Sequence, residues 1–244
     1  MPLVEQLLRE VLRRKGSRIK FASIFGSYGR EEAGRFSDLD ILVVCEDGAD
    51  KTAISNDLAR LGSRIKRDIH VNIFTSKSFD ERIRNRDYLI ASILDDSRFI
   101  FGDEDMFFKQ KRRILRGSPS IESIEFNRKI GLKILHRTTD ALQRFLLNPL
   151  PDIFEAGNMR NNVFLKCLRD HHVGLGYLFA STKMNQMNKA MTLRQILGFD
   201  DAFILRDLIL KEKETIQGTP IEIKDVRNLL HYSRRLLMFQ NVLS

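Results

Sequence analysis

A glycine–serine pair, Gly26-Ser27, is followed after ten residues by Asp38-Leu39-Asp40. These residue types at this spacing are suited to a metal–triphosphate complex. Gly26 has no side chain, so a phosphate can come close to the backbone there. Ser27 offers a hydroxyl and a backbone N–H at an expected helix N-terminus, a favoured place for an anion. Tyr28, Gly29 and Arg30 continue that turn, and Arg30 and Arg35 are charges suited to triphosphate. Asp38 and Asp40, two apart at the start of an expected strand, turn their carboxylates to one face. Their mutual repulsion is relieved by a divalent cation: Mg²⁺, or Mn²⁺ in its place, takes one or two carboxylates together with phosphate oxygens and water. A two-metal arrangement would also lower the pKa of an attacking hydroxyl and neutralise leaving pyrophosphate. Each piece alone is commonplace, a turn, a cap or a surface charge. Four fixed residues at set spacing arise by chance in roughly one chain per several hundred.

The elements that would hold these residues can be read from periodicity. Pro2–Lys15 carries an amphipathic stripe at Leu3, Leu7, Leu8, Val11 and Leu12. Ile19–Phe25 reads as a strand ending at Gly26-Ser27, and Leu39–Cys45 as a second, apolar enough for a central place in a sheet. Ala49–Lys66 has helical spacing, and Ile69–Phe74 alternates as a half-buried strand should. Tyr88–Leu94 is helical, Arg98–Phe101 a short fourth strand, and Glu104–Leu115 a further helix. Punctuation at Arg116–Ser120 marks a change of pattern. Beyond it come long helices over Ile121–Leu147 and Glu155–Ser181, broken at Asn148–Pro151. Shorter helices follow at Leu193–Leu197 and Ala202–Lys213, and Thr219-Pro220 opens a last helix over Ile221–Leu243. The expected fold class is α+β, a small sheet with helices over residues 1–117, followed by an all-α helical bundle over 118–244.

The segment Phe25–Val44, FGSYGREEAGRFSDLDILVV, resembles the polymerase-β-like nucleotidyltransferase superfamily, whose pattern is Gly-Ser, about ten residues, then Asp-x-Asp. It is most similar to the minimal stand-alone domains and to kanamycin-type antibiotic nucleotidyltransferases, and the similarity of element order covers roughly residues 1–115. The resemblance implies a small mixed nucleotidyltransferase sheet. Gly26 and Ser27 would hold the β- and γ-phosphates of a nucleoside triphosphate, ATP first among them, and Asp38 and Asp40 would bind Mg²⁺. The superfamily usually adds a third carboxylate on a later strand. Here that strand is Asp68–Phe74, and the matching position falls on His70, with Asp68 two residues earlier on the same face. His70 could serve as a general base near neutral pH. The helical second half is similar to the second domains of these enzymes in kind only.

The implied activity is transfer of a nucleoside monophosphate from the triphosphate to an acceptor hydroxyl, with release of pyrophosphate. The acceptor could be a small molecule, an RNA end or a side chain of a partner protein, in a cleft between the domains, and a homodimer is compatible with it. The alternative is a non-catalytic nucleotide-binding regulatory module that lacks the third carboxylate.

The remaining features set bounds. The chain has 244 residues, 43% hydrophobic and 30% charged, which excludes a disordered or collagen-like chain. Net charge is +9, shared almost equally by the two sides of Gly117, and it favours an anionic ligand such as nucleotide or RNA. A plain RNA-binding role lacks the expected aromatic interleaving. Two distant cysteines, Cys45 and Cys167, fit a reducing compartment. With no apolar run near the roughly 20 residues of a membrane span, a cytoplasmic protein with no membrane association is expected. His171 and His172 are neighbours on a helix and diverge, which makes them poor joint metal ligands. Arg227 and His231 fall one residue short of the Arg–His spacing of HEPN ribonucleases.

Overall fold

An apolar run such as Ile41–Cys45 needs cover on both faces of a sheet, and the fold supplies it. The computed structural model describes residues 2–14, 18–34, 37–116, 119–147, 154–180, 210–211, 214–215 and 219–238. The chain divides into two units, Met1–Ser123 and Ile124–Ser244. The first contains, in order, α1 (Pro2–Arg13), β1 (Ile19–Phe25), α2 (Gly26–Gly29), β2 (Leu39–Cys45), α3 (Lys51–Ile65), β3 (Ile69–Thr75), α4 (Ser76–Arg84), α5 (Tyr88–Asp96), β4 (Arg98–Gly102) and α6 (Glu104–Leu115). The strand order is β3-β2-β1-β4. β1 runs antiparallel to both of its neighbours, and β2 runs parallel to β3. The sheet is mixed, as the family resemblance implied, and the two most apolar strands are its inner ones.

Alternation along β2 sorts its residues between two cores. Leu39, Ile41, Val43 and Cys45 pack with Leu8 and Leu12 of α1 and with Ile54, Leu58 and Leu61 of α3. Leu42 and Val44 pack on the other face with Phe79 of α4, Ile90 of α5 and Phe107 of α6. There Phe21 of β1 meets Phe79 and Phe107 edge to face, at 5.5 and 5.6 Å between centroids. Asp38 and Asp40 belong by parity to this second face. Polar contacts fix α1 to the edge strand β4: Arg98 donates to Glu5 at 2.7 Å, and Arg9 Nε donates to the Ile100 carbonyl at 3.1 Å.

Helix starts are set locally. Asp50, Thr75, Asp87 and Asp103 each accept the backbone N–H three residues on, which caps α3, α4, α5 and α6. Helix α4 is not expected from periodicity, because only Phe79 and Ile83, one turn apart, are buried along it. Asp87 is fully buried and pairs with Arg82, so losing the arginine would strand a charge in the interior. α3 ends at Lys66, whose left-handed backbone (φ 53°, ψ 49°) donates its N–H to the Gly62 carbonyl. A residue with a Cβ pays about 1 kcal/mol or more for that conformation.

The second unit holds α7 from its fourth residue (Ile121–Leu147), α8 (Phe154–Ala180) and α9 (Ile223–Met238). No strand occurs among its described residues. Leu135, Leu142, Phe164, Leu168, Leu175, Val226, Leu229 and Leu236 make its core. Gly131 and Gly174 let α7 and α8 touch, since a Cβ on Gly131 would stand 2.9 Å from the Gly174 carbonyl oxygen. α9 starts two residues later than Thr219-Pro220 predicts. Asp225 accepts the Glu222 N–H at 2.9 Å and Asn161 accepts the Ile221 N–H at 3.3 Å, holding those two residues outside the helix. The expected break at Asn148–Pro151 and helix at Leu193–Leu197 lie outside the described residues, as does nearly all of Ala202–Lys213. No described helix is long and apolar enough to cross a membrane, and both cysteines are buried free thiols.

His171 is fully buried in this second unit. Its Nδ1 lies 2.9 Å from Ser233 Oγ and its ring packs on Tyr232. Burial, with a smaller contribution from His172, pushes its pKa down to about 3. The unfolded chain therefore takes up a proton that the folded unit refuses, so stability is intact above pH about 6.5 and falls as pH drops toward 3. The expected slope is about 1.4 kcal/mol per pH unit. Chemical denaturation of wild type and His171→Gln between pH 7 and 5 should show a shallower dependence in the variant; parallel curves would refute the assignment.

Candidate active site

The site grows from the pairing of β1 with β2. Phe25, the last residue of β1, stands opposite Asp40, so the turn after β1 begins beside the second aspartate. Gly26 there has φ 67°, and a Cβ on it would sit 2.6 Å from Asp40 Oδ2. Glycine is thus required twice, by the backbone angle and by the carboxylate packed against it. Ser27 follows within the single turn α2, which is tied by Arg30 N–H to the Gly26 carbonyl and Glu32 N–H to the Ser27 carbonyl. Buried Tyr28 anchors the turn in the core. Farther along, Gly34 N–H donates to Ser37 Oγ at 2.9 Å just before Asp38.

Parallel pairing of β2 with β3 sets Asp40 opposite His70. His70 Nδ1 lies 3.5 Å from Asp40 Oδ1 and 3.9 Å from Asp38 Oδ2. The Asp40 side chain is the least exposed of the three, at 29% against 50% for Asp38 and 62% for His70. Burial raises its pKa, the Asp38 charge adds to the rise, and His70 opposes it. Asp40 is therefore a carboxylate short of positive charge. Asp68 is exposed at the entrance to β3, where its carbonyl accepts the Leu39 N–H.

The arginines differ from the simple expectation. Arg30 bonds Glu32 at 2.8 Å and Asp96 at 2.5 Å, so its guanidinium is held by carboxylates. Arg35 lies outside the described residues. Sequence reading passed over Lys66, Arg67 and Ser37. With Asp38, Asp68 and His70 they line a pocket of about 600 Å³ at the start of β2 and β3. The available signal was the basic pair Lys66-Arg67 directly before the strand that faces Asp-x-Asp.

Among the described residues no group of three or more His, Cys, Asp or Glu is arranged to hold a metal ion unaided. The pair Asp38 and Asp40 nonetheless fits Mg²⁺, which is satisfied by one or two carboxylates when phosphate oxygens and water complete its shell. The raised pKa of Asp40 is the mark of a carboxylate that such a cation would relieve.

Comparison with known proteins bears on the domain type and the fold. Residues 4–100 match the family model described as a nucleotidyltransferase domain. No curated protein matches the chain. Among solved structures, spectinomycin adenyltransferase AAD(9) from Enterococcus faecialis, with ATP and spectinomycin, is similar over 97% of this chain and 99% of its own, at 13% identity and a TM-score of 0.51. That likeness is one of fold. A toxin–antitoxin structure with AMP-PNP is similar over 46% of this chain and 83% of that one, at 19% identity and a TM-score of 0.36. For a tri-AMPylated Shewanella oneidensis HEPN toxin in complex with MNT antitoxin the values are 47%, 82%, 18% and 0.34.

Because burial raises the pKa of Asp40, Asp40→Asn should raise the midpoint of thermal unfolding in metal-free buffer and abolish any further rise on adding Mg²⁺ with ATP. A lowered midpoint without metal would contradict the raised pKa. Gly26→Ala should displace the Asp40 carboxylate and weaken Mg²⁺-dependent ATP binding at least tenfold, at a stability cost of about 1–2 kcal/mol. Calorimetric titration beside a denaturation curve checks both figures.

Proposed function

We propose, from the match of residues 4–100 to the nucleotidyltransferase domain, that the protein moves a nucleoside monophosphate from a nucleoside triphosphate, ATP first, to an acceptor hydroxyl in a Mg²⁺-dependent reaction. The observation that carries this reading is the convergence of Asp38, Asp40 and His70 beside the Gly26 turn. Asp38 and Asp40 hold the cation, while Gly26 and Ser27 receive the β- and γ-phosphates along the backbone. When bound, Mg²⁺ neutralises the charge that builds on the phosphates. The acceptor oxygen bonds to the α-phosphorus, the bond from that phosphorus to the bridging oxygen breaks, and pyrophosphate leaves. His70, set by its Nδ1 contact with the carboxylates, takes the acceptor proton, with Asp68 as the other candidate on that strand.

Arg30 joins the phosphate site by exchanging Glu32 and Asp96 for phosphate oxygens, a trade of one anion for another. Arg35 belongs to the same proposal by sequence alone. Two units, with the second serving the acceptor or a partner chain, are part of this reading. So is a cytoplasmic setting, which two buried free thiols suit. A homodimer is compatible with it.

A second reading, nucleotide binding without turnover, is favoured by one feature: the side chain opposite Asp40 is an imidazole in place of a carboxylate. The two readings part in one experiment. Protein incubated with α-labelled ATP, Mg²⁺ and cell extract should pass label to an acceptor, and Asp38→Ala/Asp40→Ala should lower transfer by at least about 100-fold. His70→Ala should lower kcat by about 10²–10⁴-fold while ATP binding stays intact. Binding of ATP with no label transferred by any form would favour the module, and an unchanged kcat in His70→Ala would remove the histidine from the mechanism.

A further inference from the structure

The pocket on the β3 side of Asp38 is separate from the turn assigned to the nucleotide phosphates. Gly26, Ser27, Arg30 and Asp40 do not line it; Ser37, Asp38, Lys66, Arg67, Asp68 and His70 do. In the strand order β3-β2-β1, the Asp-x-Asp strand therefore has the phosphate turn on one side and this pocket on the other.

Of its basic residues, Arg67 is held in place by its contacts. Arg67 donates from its backbone N–H to the Gly62 carbonyl and from Nη1 to the Ser37 carbonyl at 3.2 Å, with its guanidinium 5.6 Å above the Tyr28 ring. Lys66 is the left-handed residue that closes α3, a position that favours glycine. The chain carries a long cationic side chain there, as it carries Glu31 and Arg86 at its other non-glycine positive-φ positions, but of the three only Lys66 lines this pocket. Among the described residues Lys66 meets no carboxylate at ion-pair distance, in contrast to Arg30, which meets two. Ser37 Oγ accepts the Gly34 N–H, which leaves its own proton to donate. An ammonium, a guanidinium and a hydroxyl gathered beside the reacting centre match a group with several anionic oxygens.

We propose that Lys66, backed by Arg67 and Ser37, forms a subsite for a phosphate group carried by the acceptor, so that the acceptor hydroxyl is presented to Asp38 and His70 by a phosphate anchored next to it. This rests on the nucleotidyl-transfer reading of the same site. A phosphate-bearing acceptor can be a small sugar phosphate or an RNA end, and the chemistry recognised is common to both.

The test uses the full chain in EDTA, so that no metal–triphosphate competes, titrated with ribose 5-phosphate and separately with an eight-nucleotide oligoribonucleotide. Lys66→Gly is the informative variant, because glycine suits the left-handed position and should leave the thermal midpoint unchanged or higher. Its affinity for at least one of the two ligands should fall at least tenfold, while Mg²⁺-dependent ATP binding stays at the wild-type level. Asp38→Ala/Asp40→Ala should bind that ligand as tightly as wild type or more tightly, and lose ATP. The ligand that shows the Lys66 dependence identifies the source of the phosphate. Equal affinity of wild type and Lys66→Gly for both ligands, or no binding of either by wild type, would overturn the subsite. Lys66-dependent binding in a protein that takes no Mg²⁺–ATP would instead uphold the subsite and remove the transferase reading.

Discussion

Asp40 is wedged between two strands, its carboxylate against the Cα of Gly26 on one side and His70 on the other. That crowding depends on two registers at once: Phe25 opposite Asp40 in the antiparallel pair, and Asp40 opposite His70 in the parallel one. A slip of one residue in either would turn the carboxylate to the other face of the sheet, into the core beneath α1 and α3. The two-sided packing of β2 is what forbids the slip, since Leu39, Ile41, Val43 and Cys45 would have to trade cores with Leu42 and Val44. The chemistry at the strand's open end is thus set by apolar contacts farther along the same strand.

Much of this was legible in the sequence because the signals are local. Gly26-Ser27 and Asp38-x-Asp40 named the turn and the paired carboxylates, and the apolar run of β2 named its inner position. Lys66 and Arg67 were not legible, because a basic pair before a strand is ordinary. Only the left-handed turn at Lys66 and the approach of Ser37 make them part of a pocket. The occupation of Arg30 was equally hidden, since its partner Asp96 is 66 residues away. Helix α4 escaped for a different reason, with too few buried positions to produce a period.

The second unit obeys a plainer logic. Its helices bury a continuous leucine-rich core, and the contact at Gly131 and Gly174 sets how closely two of them approach. Within that core His171, bonded to Ser233, is kept neutral by its surroundings. Arg227, Asn228 and His231 all lie on the exposed side of α9, so the residues that approximate an Arg–His pattern face away from the core their own helix helps to build.

His70 sits on β3, an edge strand, whereas Asp40 sits on an inner one. An inner strand is answerable to neighbours on both sides and both faces, so its residues change only at the expense of the whole sheet. An edge strand answers to one neighbour, and its alternate side chains are half in water. The group opposite Asp40 is therefore less constrained by packing than Asp40 itself. The imidazole of His70 stands at that freer margin, while packing on both faces holds the centre of the sheet in place.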